Sequence, residues 1–355
     1  MTNEELKRYS RHITLSEIGK EGQLKLKHAS VFVIGAGGLG CPVLQYLAAA
    51  GVGRIGIADH DVVDESNLQR QVLYTVTDVG LSKADQAKKK LQALNPYILI
   101  EAYPVKVNRE NILSLLKEYD IVVDGSDNFA TRYLVNDACV MLNKPLVFGS
   151  IFKFEGQVTV FNYKDGPTYR CLYPTPPKDG EVPNCSEIGV IGVLPGIVGA
   201  LQANEVIKII TGIGEVLKGK LLMFDALSVN FNTLSFKLQA ENKKITELID
   251  YDIFCGVNKT SVKEITAPEL MQKIYSEEKF QIIDVRTIEE YEGFNIGGIL
   301  IPWEEVENNI DLISKEEEVI FVCQSGKRSE AAIKALEGRY SLRNLYNLKG
   351  GLNNW

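Results

Sequence analysis

This 355-residue sequence lacks the usual marks of a membrane anchor, a nucleic-acid arm or a disulfide scaffold. Its first residues, Met1-Thr-Asn-Glu-Glu, have neither the basic flank nor the apolar run of a signal peptide. The most apolar stretch, residues 190–210, is broken by Pro195 and carries Asn204, Glu205 and Lys208, so it reads as a buried helix, not a membrane span. The six cysteines lie far apart with no paired framework, which predicts free thiols in a reducing, cytoplasmic compartment. A formal net charge of −7 and a pI near 5.3 remove the electrostatic footprint needed for nucleic acid or an anionic membrane, and neither partner is expected. Internal repeats and low-complexity tracts are also missing.

What is present is enough apolar material, 45% of residues, for a sizeable core, and enough length for two domains. The chain is organised around Val31-Phe-Val-Ile-Gly-Ala-Gly-Gly-Leu-Gly40, where β-formers run into a glycine-rich turn and then an apolar helical pattern, residues 41–50. Glycine at Gly35, Gly37, Gly38 and Gly40 permits a tight turn and lets backbone N–H groups approach a phosphate at the positive end of the helix. A second strand, 54–58, ends at Asp59, whose carboxylate can accept hydrogen bonds from a ribose. By itself this pattern also fits an ordinary NAD-binding crossover, and a dehydrogenase stays open at this point.

The remainder of the first part alternates. Residues 1–30 read as a helical lead-in; 97–103, 120–124 and 146–151 are strand-like; 82–94, 110–117 and 130–142 are helix-like. That predicts a parallel sheet covered by helices. A β-rich piece follows at 156–162, then a loop with Pro174, Pro176, Pro177, Gly180 and Pro183, read as a cover over a site. A helix over 192–211 and strands over 219–225 and 231–238 complete the first domain, 1–240. A polar linker is expected over 241–262. A short α/β pattern over 263–355 then has strands at 280–286 and 318–322, a loop at 323–328, a helix to about 338 and a last strand near 345.

Charged groups gather after Asp59. Asp61-Val-Val-Asp-Glu-Ser-Asn67-Leu-Gln-Arg70-Gln71 is followed by Gly80-Leu-Ser-Lys83 and, at a strand end, by Asp124-Gly-Ser-Asp127-Asn128. Strand C-termini in a doubly wound sheet line one crevice, so these groups converge on one ligand. A nucleoside triphosphate suits them: Arg and Lys neutralise phosphate, and Asp127 can hold Mg²⁺. Taken singly each has a plainer reading, with Lys83 a solvated charge, Asp127 a helix N-cap, and Arg70 and Asn67 loop-fixing residues.

Together, G-x-G-G-L-G, D-x-D-x-V-x-x-S-N-L-x-R-Q, G-x-x-K and D-x-x-D-N resemble the MoeB/ThiF adenylyltransferases, relatives of ubiquitin-activating enzymes, over about 9–236. The resemblance implies a Rossmann-like, mostly parallel adenylation domain. It also implies that Asp59 holds the ribose, that Asn67, Arg70 and Lys83 act on the phosphates, and that Asp127 with Asn128 completes the ATP site around Mg²⁺. Arg11, in Tyr-Ser-Arg-His, matches an arginine that crosses a homodimer interface in the family; its plainer reading is a surface arginine. The implied reaction is attack of a carrier protein's Gly-Gly carboxylate on the α-phosphate of ATP, giving an acyl-adenylate and pyrophosphate. Cys185 matches a cysteine that handles sulfur in some members, or it is a buried small residue. Where the family holds Zn²⁺ with two Cys-x-x-Cys pairs, this chain keeps only Cys171 and Cys255, so no structural zinc is expected.

The second part, with Asp284-Val-Arg286, Cys323-Gln-Ser-Gly-Lys-Arg328-Ser and Lys349-Gly-Gly-Leu-x-x-Trp355, resembles a small α/β rhodanese domain. A cysteine opening a strand-to-helix loop can be ringed by backbone N–H groups and face a helix dipole, stabilising a persulfide. Cys323, Ser325, Gly326, Lys327 and Arg328 form that loop, with Arg328 expected to strengthen its positive field and Arg286 to act as an anchor behind it. Because the chain ends at Trp355, the last strand is expected to be poorly covered. The reading that results is a carrier adenylyltransferase with sulfur transfer from Cys323, fed by a donor such as a cysteine desulfurase. It serves a molybdopterin, thiamine or tRNA-thiolation type of pathway. A non-catalytic carrier-binding scaffold is the alternative.

Overall fold

The computed structural model describes residues 1–177, 189–256, 262–276, 278–340 and 342–355. Gly180, Pro183 and Cys185 lie outside the described residues. The chain divides into two compact units, Met1–Val257 and Asn258–Trp355.

In the first unit, helices α1 (Asn3–Arg8), α2 (Ser10–Ile13) and α3 (Gly19–His28) lead into β1 (Ser30–Ile34), α4 (Gly40–Ala50) and β2 (Arg54–Ala58). There follow α5 (Lys83–Leu94), β3 (Leu99–Tyr103), α6 (Ile112–Leu116), β4 (Ile121–Asp124), α7 (Phe129–Met141), β5 (Leu146–Phe152), β6 (Glu155–Phe161) and α8 (Tyr169–Leu172). Helix α9 (Val193–Thr211), β7 (Lys220–Asp225), β8 (Asn230–Ser235) and α10 (Tyr251–Phe254) complete it. The eight strands run in the order β3-β2-β1-β4-β5-β6-β7-β8; the pairs from β3 through β5 are parallel, and those from β5 to β8 antiparallel.

Every residue of β1 and β4 is buried, as a strand covered on both faces requires. The two-residue period sorts β1 between two cores: Val31 and Val33 pack with Leu44, Leu47 and Ile57, while Phe32 and Ile34 pack with Tyr119, Val122 and Tyr133. Helix α9 is long and apolar enough to cross a membrane by composition alone. Here it packs as a core helix, with Val198 and Leu194 buried and Gly199 against Pro42 of α4.

The register of the central strands builds the site. Ile34 pairs with Ala58 on one side and Asp124 on the other, so Gly35, Asp59 and Gly125 leave the sheet at one level. This is also where the strand order reverses, the position at which such sheets bind ligands. The turn after β1 closes tightly. Gly35 has φ +90°, and a Cβ on Gly40 would lie 2.0 Å from the Gly35 carbonyl oxygen.

Part of the segment expected to be a polar linker is folded. Asp250 caps α10 through the N–H groups of Asp252 and Ile253, the Tyr251 hydroxyl donates to Asp137 at 2.7 Å, and Phe254 packs edge-on to Tyr133. Apolar residues at two positions of a charged stretch are enough to dock one turn on α7.

The second unit contains β9 (Lys263–Ile265), α11 (Ala267–Tyr275), β10 (Phe280–Asp284), α12 (Ile288–Gly293), β11 (Ile299–Leu300), β12 (Glu318–Val322), α13 (Lys327–Arg339) and β13 (Leu345–Leu348). Its sheet is all parallel, in the order β11-β10-β12-β13-β9. The last strand is therefore well covered, contrary to the expectation from sequence. β9 pairs along its outer side, and Leu345 and Leu348 are fully buried. The short β9 was hidden in the segment assigned to the linker boundary.

Gly40→Ala is expected to destabilise the protein by about 1–3 kcal/mol, because the added methyl meets rigid backbone. Thermal unfolding of the variant against wild type measures it.

Candidate functional site

A cleft of about 490 Å³ lies over the strand ends at the β1/β4 reversal. Asp59 anchors one wall: its carboxylate accepts from the N–H of Ala36 and of Asp61, both at 2.8 Å. The glycine turn is held from beneath by Tyr74, whose hydroxyl donates to the Ala36 carbonyl at 2.8 Å. Cys41 packs under the same turn, its thiol pushed up to about 12 by burial, and Cys139 is likewise buried.

The cations approach from two directions. Lys83 opens α5, capped by Ser82, and its side chain is only 8% exposed with Nζ 3.1 Å from the Asp61 carboxylate. It is thus a held ammonium in the cleft wall and no solvated charge. Arg70 lines the cleft with one bond to the Ser66 carbonyl at 3.2 Å. Asp127 is exposed on the opposite wall. The N-cap of α7 is its neighbour Asn128, which accepts from the Thr131 N–H at 2.9 Å.

The structure brings Gly35, Gly37, Gly38, Asp59, Arg70, Lys83, Asp127 and Asn128 together around one cavity. It does not line the cavity with Gly40, Asn67 or Arg11. Gly40 begins α4. Asn67 closes a capping box with Asp64, accepting from the Asp64 N–H at 3.3 Å. Arg11 is exposed on α2.

Three groups were not singled out from sequence. Gln71, Ser126 and Arg132 line the cleft, each at least nine-tenths buried, and among the described residues Gln71 Oε1, Ser126 Oγ and Arg132 Nε have no hydrogen-bond partner. Arg132 makes one contact to the Ser126 carbonyl at 3.4 Å and lies over the rings of Phe129 and Phe148. Among the described residues neither it nor Arg70 has a carboxylate within ion-pair distance. Behind it sits Asp124, fully buried, its carboxyl raised by burial with Arg132 opposing the shift. Buried polar atoms without partners facing a cleft fit a polar ligand that supplies them. The signal for Arg132 was available: a cation in the first turn of a helix opposes the helix dipole and needs another reason to be there.

The second unit presents its own site. Cys323 follows β12 directly and is fully buried, its sulfur accepting from the Ser329 N–H at 3.4 Å and the Ser329 hydroxyl at 3.2 Å. Gly326, at φ +82°, turns the loop into α13, while Ser325 and Lys327 are exposed on it. Residues 352 and 353 donate backbone N–H groups to the carbonyls of Cys323 and Gln324, both at 2.9 Å, clamping the loop. Arg286 makes a buried fork to Asp284 and donates to the Phe294 carbonyl at 2.6 Å. Arg328 does not present a free positive charge as expected: Glu290 takes it in two bonds of 2.7 and 2.6 Å.

Cys171 does not line the cleft. Burial opposes ionisation of its thiol, yet donors from Thr168, Gln239 and Asn242 outweigh it and lower it below the usual thiol range. Cys255 is pushed up to about 11 by burial.

Fold and cleft together define a nucleotide-activating enzyme with a fused sulfur-transfer unit, and comparison with known proteins gives the family. The chain belongs to the ThiF family, which matches residues 9–246, and residues 266–355 match the rhodanese-like domain. It is 45% identical over 369 residues to the probable adenylyltransferase/sulfurtransferase MoeZ of Mycobacterium tuberculosis, covering 100% of this chain and 94% of the relative. Adenylyltransferase and sulfurtransferase MOCS3 of Culex quinquefasciatus is 43% identical over 385 residues, covering 100% and 88%. The sulfur carrier protein adenylyltransferase of Thermus thermophilus is 55% identical over 267 residues, covering 72% of this chain and 98% of that one. Among solved structures, E. coli MccB with ATP superposes with a TM-score of 0.56 at 26% identity, covering 66% of this chain and 72% of MccB. The chain is an adenylyltransferase with sulfurtransferase activity, and the dehydrogenase reading of the glycine turn falls away.

Arg132→Met is expected to lower ATP–pyrophosphate exchange tenfold or more while far-UV circular dichroism stays unchanged. It removes a cleft cation whose guanidinium is not committed to any carboxylate.

Proposed function

We propose that this enzyme adenylates the C-terminal Gly-Gly carboxylate of a small ubiquitin-fold carrier and then converts it to a thiocarboxylate. The observation that supports this best is the concentration, in one cleft, of a glycine turn, two cations without carboxylate partners among the described residues, a held lysine and an exposed aspartate. Such a set suits a polyphosphate.

Asp59 receives the ribose and the turn at Gly35, Gly37 and Gly38 presents backbone toward the phosphates, while Gly40 lets the turn close. Arg70 and Lys83, with Asn67 fixing the loop that carries Arg70, neutralise phosphate charge as the carrier carboxylate attacks the α-phosphorus and pyrophosphate leaves. Catalysis is mainly positioning and charge neutralisation. Asp127, a hard oxygen donor beside Asn128, suits Mg²⁺, which when bound offsets charge on the phosphate oxygens. Arg11, exposed and away from its own cleft, suits a homodimer in which it reaches the partner's nucleotide.

Sulfur transfer follows in two balanced steps. The Cys323 persulfide attacks the acyl-adenylate, forming an acyl disulfide and releasing AMP. Cys185 attacks the disulfide sulfur attached to Cys323, leaving the carrier thiocarboxylate and a Cys185–Cys323 disulfide that an external thiol reductant reopens. A cysteine desulfurase-type donor reloads Cys323. A linker that spans the two sites raises the persulfide to about millimolar effective concentration. Structural zinc is not part of this reading: Cys171 finds its partners in protein donors, and Pro174 and Asp252 stand where two further thiolates are needed. A cytoplasmic location agrees with the acidic charge and separated cysteines.

ATP–pyrophosphate exchange is expected with a Gly-Gly carrier and to vanish when the carrier lacks its last glycine; exchange indifferent to the tail overturns carboxylate adenylation. Asp127→Asn is expected to reduce exchange by about two orders of magnitude. Cys323→Ser and Cys185→Ser are both expected to retain exchange and lose thiocarboxylate release, read by mass spectrometry of the carrier.

A further inference from the structure

Around Cys323 both arginines are paired with carboxylates, and Lys327 stays exposed on the loop. Arg328, in the first turn of α13, is close enough to Cys323 and Asp284 for their charges to act on it, yet both of its terminal nitrogens are spent on Glu290 at 2.7 and 2.6 Å. Glu290 comes from α12, where it also accepts the Thr287 N–H in a capping box. The hydrogen bonds from Arg328 hold its carboxyl down at about 2, so it stays anionic at working pH. The other arginine nearby, Arg286, is closed on buried Asp284. A guanidinium facing this way is a fork for a planar or tetrahedral oxyanion, and here a carboxylate of the chain itself fills the fork.

We propose that Glu290 determines donor specificity: it occupies the anion-binding face of Arg328, so the Cys323 loop discriminates against small dianionic sulfur donors in favour of donors without that charge, such as a protein-borne persulfide. With thiosulfate as the dianionic probe, the Cys323 thiolate attacks the outer sulfur, the S–S bond breaks, and sulfite leaves with the electron pair, giving a persulfide and SO₃²⁻. A dianionic donor approaching this loop meets an Arg328 whose two terminal nitrogens Glu290 already holds, and the Glu290 carboxylate adds like charge. The inference rests on Cys323 as the sulfur-carrying group.

The test uses the full-length protein, with thiosulfate (2−) and methanethiosulfonate (1−) as donors and cyanide as the acceptor. Glu290→Gln keeps the capping-box geometry, since Gln serves at that position, while freeing Arg328. It is expected to raise kcat/KM for thiosulfate roughly tenfold through KM, and to raise that for methanethiosulfonate less. The gain should shrink as ionic strength rises, and adding Arg328→Met to Glu290→Gln should remove it. An unchanged thiosulfate KM in Glu290→Gln, or a gain that survives Arg328→Met, overturns the proposal while Cys323 dependence stands. Transfer that persists in Cys323→Ser overturns the sulfur-carrier reading and this inference with it.

Discussion

The first unit depends on the contact between the Gly35 carbonyl and the Cα of Gly40. Parallel strands β1, β2 and β4 end in register, so whatever follows them must leave the sheet within one narrow layer. Only a turn without side chains at its two closest points lets α4 start directly after β1. Asp59 then accepts the Ala36 N–H, Tyr74 holds the Ala36 carbonyl, and Lys83 is positioned through Asp61 two residues beyond Asp59. The cleft is a chain of such attachments, each beginning at this turn.

Two sites in one chain treat positive charge in opposite ways. In the cleft, Arg70 and Arg132 have no carboxylate partner among the described residues, and Arg132 is buried, shielded by aromatic faces and by Asp124 behind it. Buried unpaired cations are tolerated where a ligand completes them, and a polyanionic nucleotide does so. In the Cys323 loop both arginines are closed by carboxylates, so what meets the sulfur there is short-range: the Ser329 N–H donates to it at 3.4 Å, and the Ser329 hydroxyl, whose single proton is shared between Asn347 Oδ1 at 2.6 Å and the sulfur at 3.2 Å, lies beside it. One site is built to collect charge from solution and the other to hold a single sulfur atom.

Much of this was legible in the sequence, for physical reasons that differ by residue. The strand–turn–helix at 31–50 is local, and its glycine spacing admits few alternatives, so strand, turn and helix fall where composition puts them. Asp59 and Lys83 follow because the ends of adjacent parallel strands must meet. Asn67 and Asn128 were legible only as members of a motif; their side chains close local turns, a role that backbone geometry assigns and spacing does not. β9 escaped because three residues beside a polar stretch carry no periodic signal, and it becomes a strand only when β13 offers an edge. The quenching of Arg328 escaped because Glu290 lies 38 residues away and is joined to it solely by tertiary structure.

Tethering the two sites also has an energetic logic that follows from those differences. An acyl-adenylate in a cleft rich in cations is exposed to water once pyrophosphate leaves, so its useful lifetime depends on how soon a nucleophile arrives. A persulfide carried on the fused rhodanese-like unit is such a nucleophile for the acyl group. Joining the two by one chain replaces a bimolecular encounter with an intramolecular one, limited by linker reach and independent of bulk persulfide.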